Sequence, residues 1–167
     1  MVKYTLAVLV ENRPGVLTHI SGLISRRAFN IESIAASHTE EPDTTRITLD
    51  VEVDDEIELE QVVNQLSKLI DVIKIVNLTH VDSIQRELAL IKVKASKVNR
   101  SELVDIVEIF RAKIVDINRE TMVVELTGEQ SKIDALCEVL VDFGIIEIVR
   151  TGKIALSRGA IPAKEID

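Results

Sequence analysis

Residues 2–11 alternate strictly. Val2, Tyr4, Leu6, Val8 and Val10 fall on one side, and Lys3, Thr5, Ala7, Leu9 and Glu11 on the other. A period of two predicts a strand with one face toward a core. Over residues 14–28 the period becomes helical, with Val16, Leu17, Ile20, Leu23, Ile24 and Ala28 on one face. Residues 30–39 read as extended, and Glu41-Pro42-Asp43 makes a turn. Ile47, Leu49, Val51 and Val53 then alternate with Thr48, Asp50 and Glu52, which predicts a second half-buried strand with the polar set facing out. A helix is predicted over 56–70 through Leu59, Val62, Val63, Leu66, Leu69 and Ile70, and a β-branched run at 72–81 predicts a strand. The order is βαββαβ, the ferredoxin-like split βαβ arrangement.

The order recurs in the second half. Strands are predicted at 84–95, 114–118, 121–127 and 145–151, with helices at 100–112 and 130–143. Leu69-Ile-Asp-Val is echoed by Leu140-Val-Asp-Phe. The expectation is an α+β protein of two ferredoxin-like βαββαβ domains in tandem, residues 1–80 and 84–160, with 161–167 as a tail. From Arg150 to Lys164 there are four bases (Arg150, Lys153, Arg158, Lys164) and no acid. Two readings stand for that stretch: a frayed, solvated end, or a docking segment for an acidic partner surface.

Composition narrows the function. The net charge is −8 and only four residues are aromatic (Tyr4, Phe29, Phe110, Phe143), so neither a basic footprint nor stacking platforms for nucleic acid are present. The longest apolar runs are too short to span a bilayer, and residues 1–10 lack a signal-peptide pattern, which points to the cytoplasm. Cys137, the single cysteine, sits at helical spacing with Ile133, Leu136 and Leu140 and reads as a small core residue. His19, His38 and His80 have no metal-site spacing, and no phosphate-cradling glycine loop occurs. Asp54, Asp55, Glu56, Glu58 and Glu60 could suggest a cation site, but they precede or open a predicted helix, where acids cap and favour the dipole. No catalytic residue and no metal ligand is expected.

One loop carries chemistry. Glu11-Asn-Arg-Pro-Gly-Val-Leu17 takes a strand directly into a helix. Pro14 suits a first helical turn. Gly15 permits close approach of backbone to a ligand. The N–H groups of Gly15, Val16 and Leu17 then point out of a helix N-terminus, where a carboxylate is favoured. An ammonium needs oxygens, which Asn12, Asn30 and the backbone near Ile31 offer, and Val16, Leu17 or Ile31 could carry an apolar side chain. Asn12, Gly15, Val16, Leu17, Asn30 and Ile31 are therefore the candidate effector-binding residues. The corresponding turn of the second half, Ser96-Lys-Val-Asn-Arg-Ser101, lacks the Pro-Gly pair.

The loop resembles the ligand loop of an ACT domain, a module that senses amino acids. Val8-Leu-Val-Glu-Asn-Arg-Pro-Gly-Val-Leu17, Phe29-Asn-Ile-Glu-Ser-Ile34, Arg86-Glu-Leu-Ala-Leu-Ile-Lys-Val-Lys94, Ile109-Phe-Arg-Ala-Lys-Ile-Val-Asp116 and Ala155-Leu-Ser-Arg-Gly159 together resemble the regulatory small subunits of acetolactate (acetohydroxyacid) synthase. The resemblance implies a first domain of ACT type and no catalysis by this chain. It implies a large catalytic subunit as partner, and that partner would carry thiamine diphosphate, magnesium and FAD. It also implies activation of that subunit, feedback inhibition by valine or another branched-chain amino acid, and a homodimer through ACT domains. The effector would lie between the turn of one copy and Asn30-Ile31 of the other. The competing reading is a stand-alone ACT-type amino-acid sensor without an enzyme partner.

Overall fold

The computed structural model describes residues 2–26 and 29–166. The first βαββαβ set consists of β1 (Val2–Glu11), α1 (Val16–Arg26), β2 (Asn30–His38), β3 (Thr44–Val53), α2 (Glu56–Leu66) and β4 (Val72–Asn77). Ala28, expected on the buried helix face, lies outside the described residues. The four strands form an antiparallel sheet in the order β2-β3-β1-β4. Helices α1 and α2 cover one face. Leu6, Val8 and Val10 meet Ile47, Leu49 and Val51, with Ile20 and Ile24 of α1 and Val62 and Leu66 of α2 packed above them. Fully burying each such branched side chain contributes about 1.5–3 kcal/mol.

Helix α2 begins as its acids dictate. Asp55 caps it, accepting from the Glu58 N–H at 2.8 Å, while the Glu58 carboxylate reaches back to the Asp54 N–H at 2.6 Å. The helix ends earlier than predicted. After Leu66, tight bonds (Lys68 N–H to Gln65 O, Leu69 N–H to Leu66 O) unwind the last turn. Ile70, expected on the core face, is 93 % exposed. Strand β4 also stops short, at Asn77, whose side-chain oxygen accepts from the Thr79 N–H.

The opposite face of the first sheet is not open to solvent. Thr5, Ala7, Thr48 and Asp50 are buried there, Asp50 to 6 % exposure. The cover comes from far along the sequence. From Lys153 onward the chain belongs to this first unit, whereas Gln85–Gly152 form the second. The second unit thus ends before the expected residue 160, and the returning segment is longer than a tail of 161–167.

This segment, here termed the strap, runs through β9 (Ile154–Ser157) to a short 3-10 turn at Ala163–Glu165. Ala155 and Ala163 pack with Ala7, Val76 and Leu78. Lys153 Nζ lies 2.9 Å from the Asp50 carboxylate, which also accepts from the hydroxyls of Thr5 and Ser33 at 2.8 Å each. Arg46 donates to the Ala155 carbonyl at 2.6 Å. Arg158 pairs with Asp82 and Lys164 with Glu41. Neither reading of the basic stretch describes Lys153, Arg158 and Lys164: they pair with acids of the chain's own first unit, not with a partner surface, and the segment is not a frayed end.

The second unit comprises most of β5 (Ser83–Lys94), then α3 (Arg100–Ile109), β6 (Lys113–Ile117), β7 (Thr121–Gly128), α4 (Gln130–Leu140) and β8 (Ile145–Arg150). Its sheet runs β6-β7-β5-β8, the same topology. The core joins Ile91 and Val93 to Val124 and Leu126, with Leu103, Ile133 and Leu136 from the helices. Cys137 is half-buried against that core, and burial pushes its thiol pKa up. Arg150 bridges the buried Glu87 (3.3 Å) and Asp134 (2.7 Å) within this unit.

Candidate functional site

At the end of β1 the chain turns through Asn12 and Arg13 into α1. A cleft of about 370 Å³ opens there. Val10, Val16 and Ile47 give it an apolar wall, the Gly15 and Leu17 segment forms its lip, and Ala36 to His38 of β2 close the far side. Gly15 has φ +91°, in the region that disfavours a Cβ. That conformation turns the chain sharply enough to start α1, and the His19 N–H donates to the Gly15 carbonyl at 3.0 Å. Among the described residues nothing accepts from the N–H groups of Gly15, Val16 or Leu17. They form the unsatisfied start of a helix beside an apolar wall.

Asn12 is held from two sides. Its N–H donates to the Asp43 carbonyl at 2.8 Å and its side-chain amide to the Pro42 carbonyl at 3.3 Å, so the turn between β2 and β3 fixes it. His38 Nδ1 sits 3.5 Å from the same amide. The Arg13 guanidinium folds onto Glu11 at 3.0 Å. Of the other histidines, His19 pairs with Asp71 at 3.1 Å and His80 stacks edge-on against Tyr4. Among the described residues no group of His, Cys, Asp or Glu is arranged to hold a metal ion.

Asn12, Gly15, Val16 and Leu17 therefore share one cleft. Asn30 and Ile31 do not line it. They begin β2, whereas the cleft meets β2 at its end. Asn30 and His38 stand at opposite ends of the nine-residue strand, roughly 25 Å apart. Asn30 instead donates to Glu52 at 3.3 Å. Sequence reasoning missed Ala36, Ser37 and His38. They carry no local signal of their own, because only the pairing of β2 with β3 (Ala36 opposite Ile47, His38 opposite Thr45) brings them to the cleft.

The corresponding turn of the second unit is tied to itself and to neighbouring backbone, although among the described residues α3, like α1, starts without a side-chain cap. Asn99 Oδ1 accepts from the Ser96 N–H at 2.8 Å and the Ser96 hydroxyl at 3.2 Å. The Arg100 guanidinium donates to the carbonyls of Ala95, Asn118 and Arg119. No glycine is present, and the turn is tied to neighbouring backbone by the Ala95 N–H to Glu120 carbonyl bond at 2.7 Å.

The βαββαβ order, the β2-β3-β1-β4 sheet and the cleft at the first βα turn are those of an ACT-type domain, followed here by a second unit of the same topology. Comparison with known proteins agrees. Residues 6–74 match the small-subunit-like ACT domain of acetohydroxyacid synthase, and residues 86–159 match the family described as the small subunit of acetolactate synthase. The probable acetolactate synthase small subunit of Archaeoglobus fulgidus is 48% identical over 157 residues, covering 94% of this chain and 98% of that protein. The small subunit of Bacillus subtilis is also 48% identical, covering 94% and 91%. The crystal structure of the small subunit from Thermotoga maritima superposes with a TM-score of 0.86 at 36% identity, covering 96% of this chain and all of that one. The chain belongs to the acetolactate synthase small-subunit family.

Proposed function

We propose that this chain is the non-catalytic regulatory partner of an acetolactate synthase large subunit. It activates that subunit and transmits feedback inhibition by a branched-chain amino acid, valine first. The observation that carries the effector reading is the set of unpaired N–H groups at Gly15, Val16 and Leu17 beside the apolar wall of Val10, Val16 and Ile47. A carboxylate placed there gains the helix dipole and several donors at once. A short branched side chain fits the wall, and the uncommitted oxygen of Asn12 suits an ammonium.

Two of the six expected contact residues, Asn30 and Ile31, are missing from the cleft, and the fold supplies a way to complete it. Strand β2 is an edge strand of the first sheet. Antiparallel pairing of two β2 edges from two copies would carry Asn30 and Ile31 of the second copy to the His38 end of the first. The effector would then bridge two copies, and it would shift activity only by its differential affinity for the two arrangements, typically about 1–3 kcal/mol. The thiamine diphosphate, magnesium and FAD of the reaction belong to the large subunit in this reading.

The test is calorimetric titration of the purified chain with valine, leucine and isoleucine, paired with assays of a large subunit with and without the chain. Saturable binding, together with activation that valine reverses, supports the proposal. Binding without any effect on a synthase leaves a stand-alone sensor. No binding of any of the three removes the effector site.

A further inference from the structure

Asn12 is fixed by the turn between β2 and β3, so what fixes that turn matters to the cleft. Within the turn, Thr44 N–H and the Thr39 hydroxyl both donate to the Glu41 carbonyl, at 3.0 and 3.1 Å. Thr44 also donates its hydroxyl toward the Glu41 carboxylate at 3.4 Å. The other oxygen of that carboxylate receives Lys164 Nζ at 2.6 Å, and Lys164 belongs to the strap, 123 residues away in sequence. The strap is anchored at this point. Ala163 is buried against Ala7 and Val76, and Lys74 Nζ donates to the Lys164 carbonyl at 3.2 Å. A continuous path therefore runs from the strap through Lys164 and Glu41 to the Pro42 and Asp43 carbonyls, and from those to Asn12.

We propose that Lys164 is a positioning residue for the effector cleft: by holding Glu41 it sets the β2–β3 turn whose carbonyls orient Asn12. The inference rests on the effector reading above for its ligand but not for its geometry. The Glu41–Lys164 pair is exposed, which limits its weight. Its influence is accordingly a graded one on Asn12, not an on–off switch.

Two readouts on the full chain separate this from the effector reading. In ligand-free protein, Lys164→Gln should speed amide hydrogen exchange at Asn12 about three- to fivefold, while strand amides such as Leu49 and Val51 keep their rates. In titrations, the same variant should weaken valine binding by a similar factor. Lys164→Arg, and the charge exchange Glu41→Lys with Lys164→Glu, should restore both. Unchanged exchange at Asn12, equal acceleration at Leu49 and Val51, or no rescue by either restoring variant overturns the inference. If the unmodified protein binds no branched-chain amino acid, the effector reading fails and the exchange measurement alone decides the role of Lys164.

Discussion

The two units share a topology and differ at the first turn after the first strand. In the first, Pro14-Gly15 starts α1 with its N–H groups unfilled beside an apolar wall. In the second, Asn99 and Arg100 tie the loop to itself and to neighbouring carbonyls, although among the described residues α3 too starts without a side-chain cap. The helices, sheets and cores are interchangeable in plan, and both first helices start with uncapped donors. The difference lies in the turn: a Pro-Gly pair beside an apolar cleft in the first unit, a glycine-free loop bound to its neighbours in the second.

The comparison breaks most visibly at Gly15. Gly15→Asp places a side chain at φ +91° and a carboxylate where the effector's own would lie, although no neighbouring atom blocks the Cβ. Calorimetry should then detect no valine binding, with circular dichroism still showing a folded chain and activation of a large subunit retained. Valine affinity equal to that of the unmodified protein in that variant would remove the site from this turn.

The next effect is on stability. Each unit buries one carboxylate against a base from the stretch between residues 150 and 153. Asp50 is held by Lys153 and Glu87 by Arg150. Removing one partner of a buried pair costs about 3–5 kcal/mol because the other charge is stranded. Lys153→Ala should approach that loss in denaturant unfolding, and the double variant with Asp50→Asn should recover most of it. Arg150→Ala should cost less, since Arg150 is more exposed and shares itself between Glu87 and Asp134. Equal losses in the two units would show that the strap adds nothing particular to the first.

A smaller effect tests the tied turn of the second unit. Arg100→Ala frees three carbonyls and should cost about 1–2 kcal/mol, the scale of lost hydrogen bonds to a charged donor. It should not create a ligand site, because the Asn99–Ser96 bonds remain.

The smallest is a pH effect on the strap. The hydrogen bond and charge of Lys164 hold the Glu41 carboxyl below its ordinary range, and Glu41 raises Lys164. A depressed carboxyl contributes stability that is present above its unfolded pKa and is lost as pH falls through the folded one. A raised lysine contributes below its unfolded pKa and loses it as pH rises through the folded one. The difference in melting temperature between the unmodified protein and Lys164→Gln should therefore be flat through neutral pH. It should shrink only below the ordinary carboxylate range or above the ordinary lysine range. Glu40 and Glu165 also act on Lys164, Thr44 on Glu41, and Lys74 holds the Lys164 backbone, so these four stay unmodified in the test.

Much of this was legible in the sequence because it is local. The alternation of β1 and β3, the helical face of α1 and the acids that cap α2 are each set by neighbours within a few residues. The site was half legible for the same reason. Asn12 to Leu17 are contiguous, while Ala36 to His38 join them only through strand pairing. The buried outer face was much less legible. Asp50 and Thr48 sit at outward positions of a clean alternation, and nothing nearby says that Lys153 and Ala155 will return to cover them. Ala7 and Leu9, apolar at outward positions of β1, and the acid-free basic stretch from Arg150 to Lys164 were the hints.

The strap also sets an order of events during synthesis. The second unit is, in effect, an insertion between β4 and the segment that covers the outer face of the first sheet. At about 5–20 residues per second, the ribosome needs several seconds to pass from Ile84 to Lys153. Through that interval the first unit waits with one side of its sheet uncovered, and the second lacks its last strand, β8, until the end of it. The module made first is therefore sealed only after the whole of the second has been made.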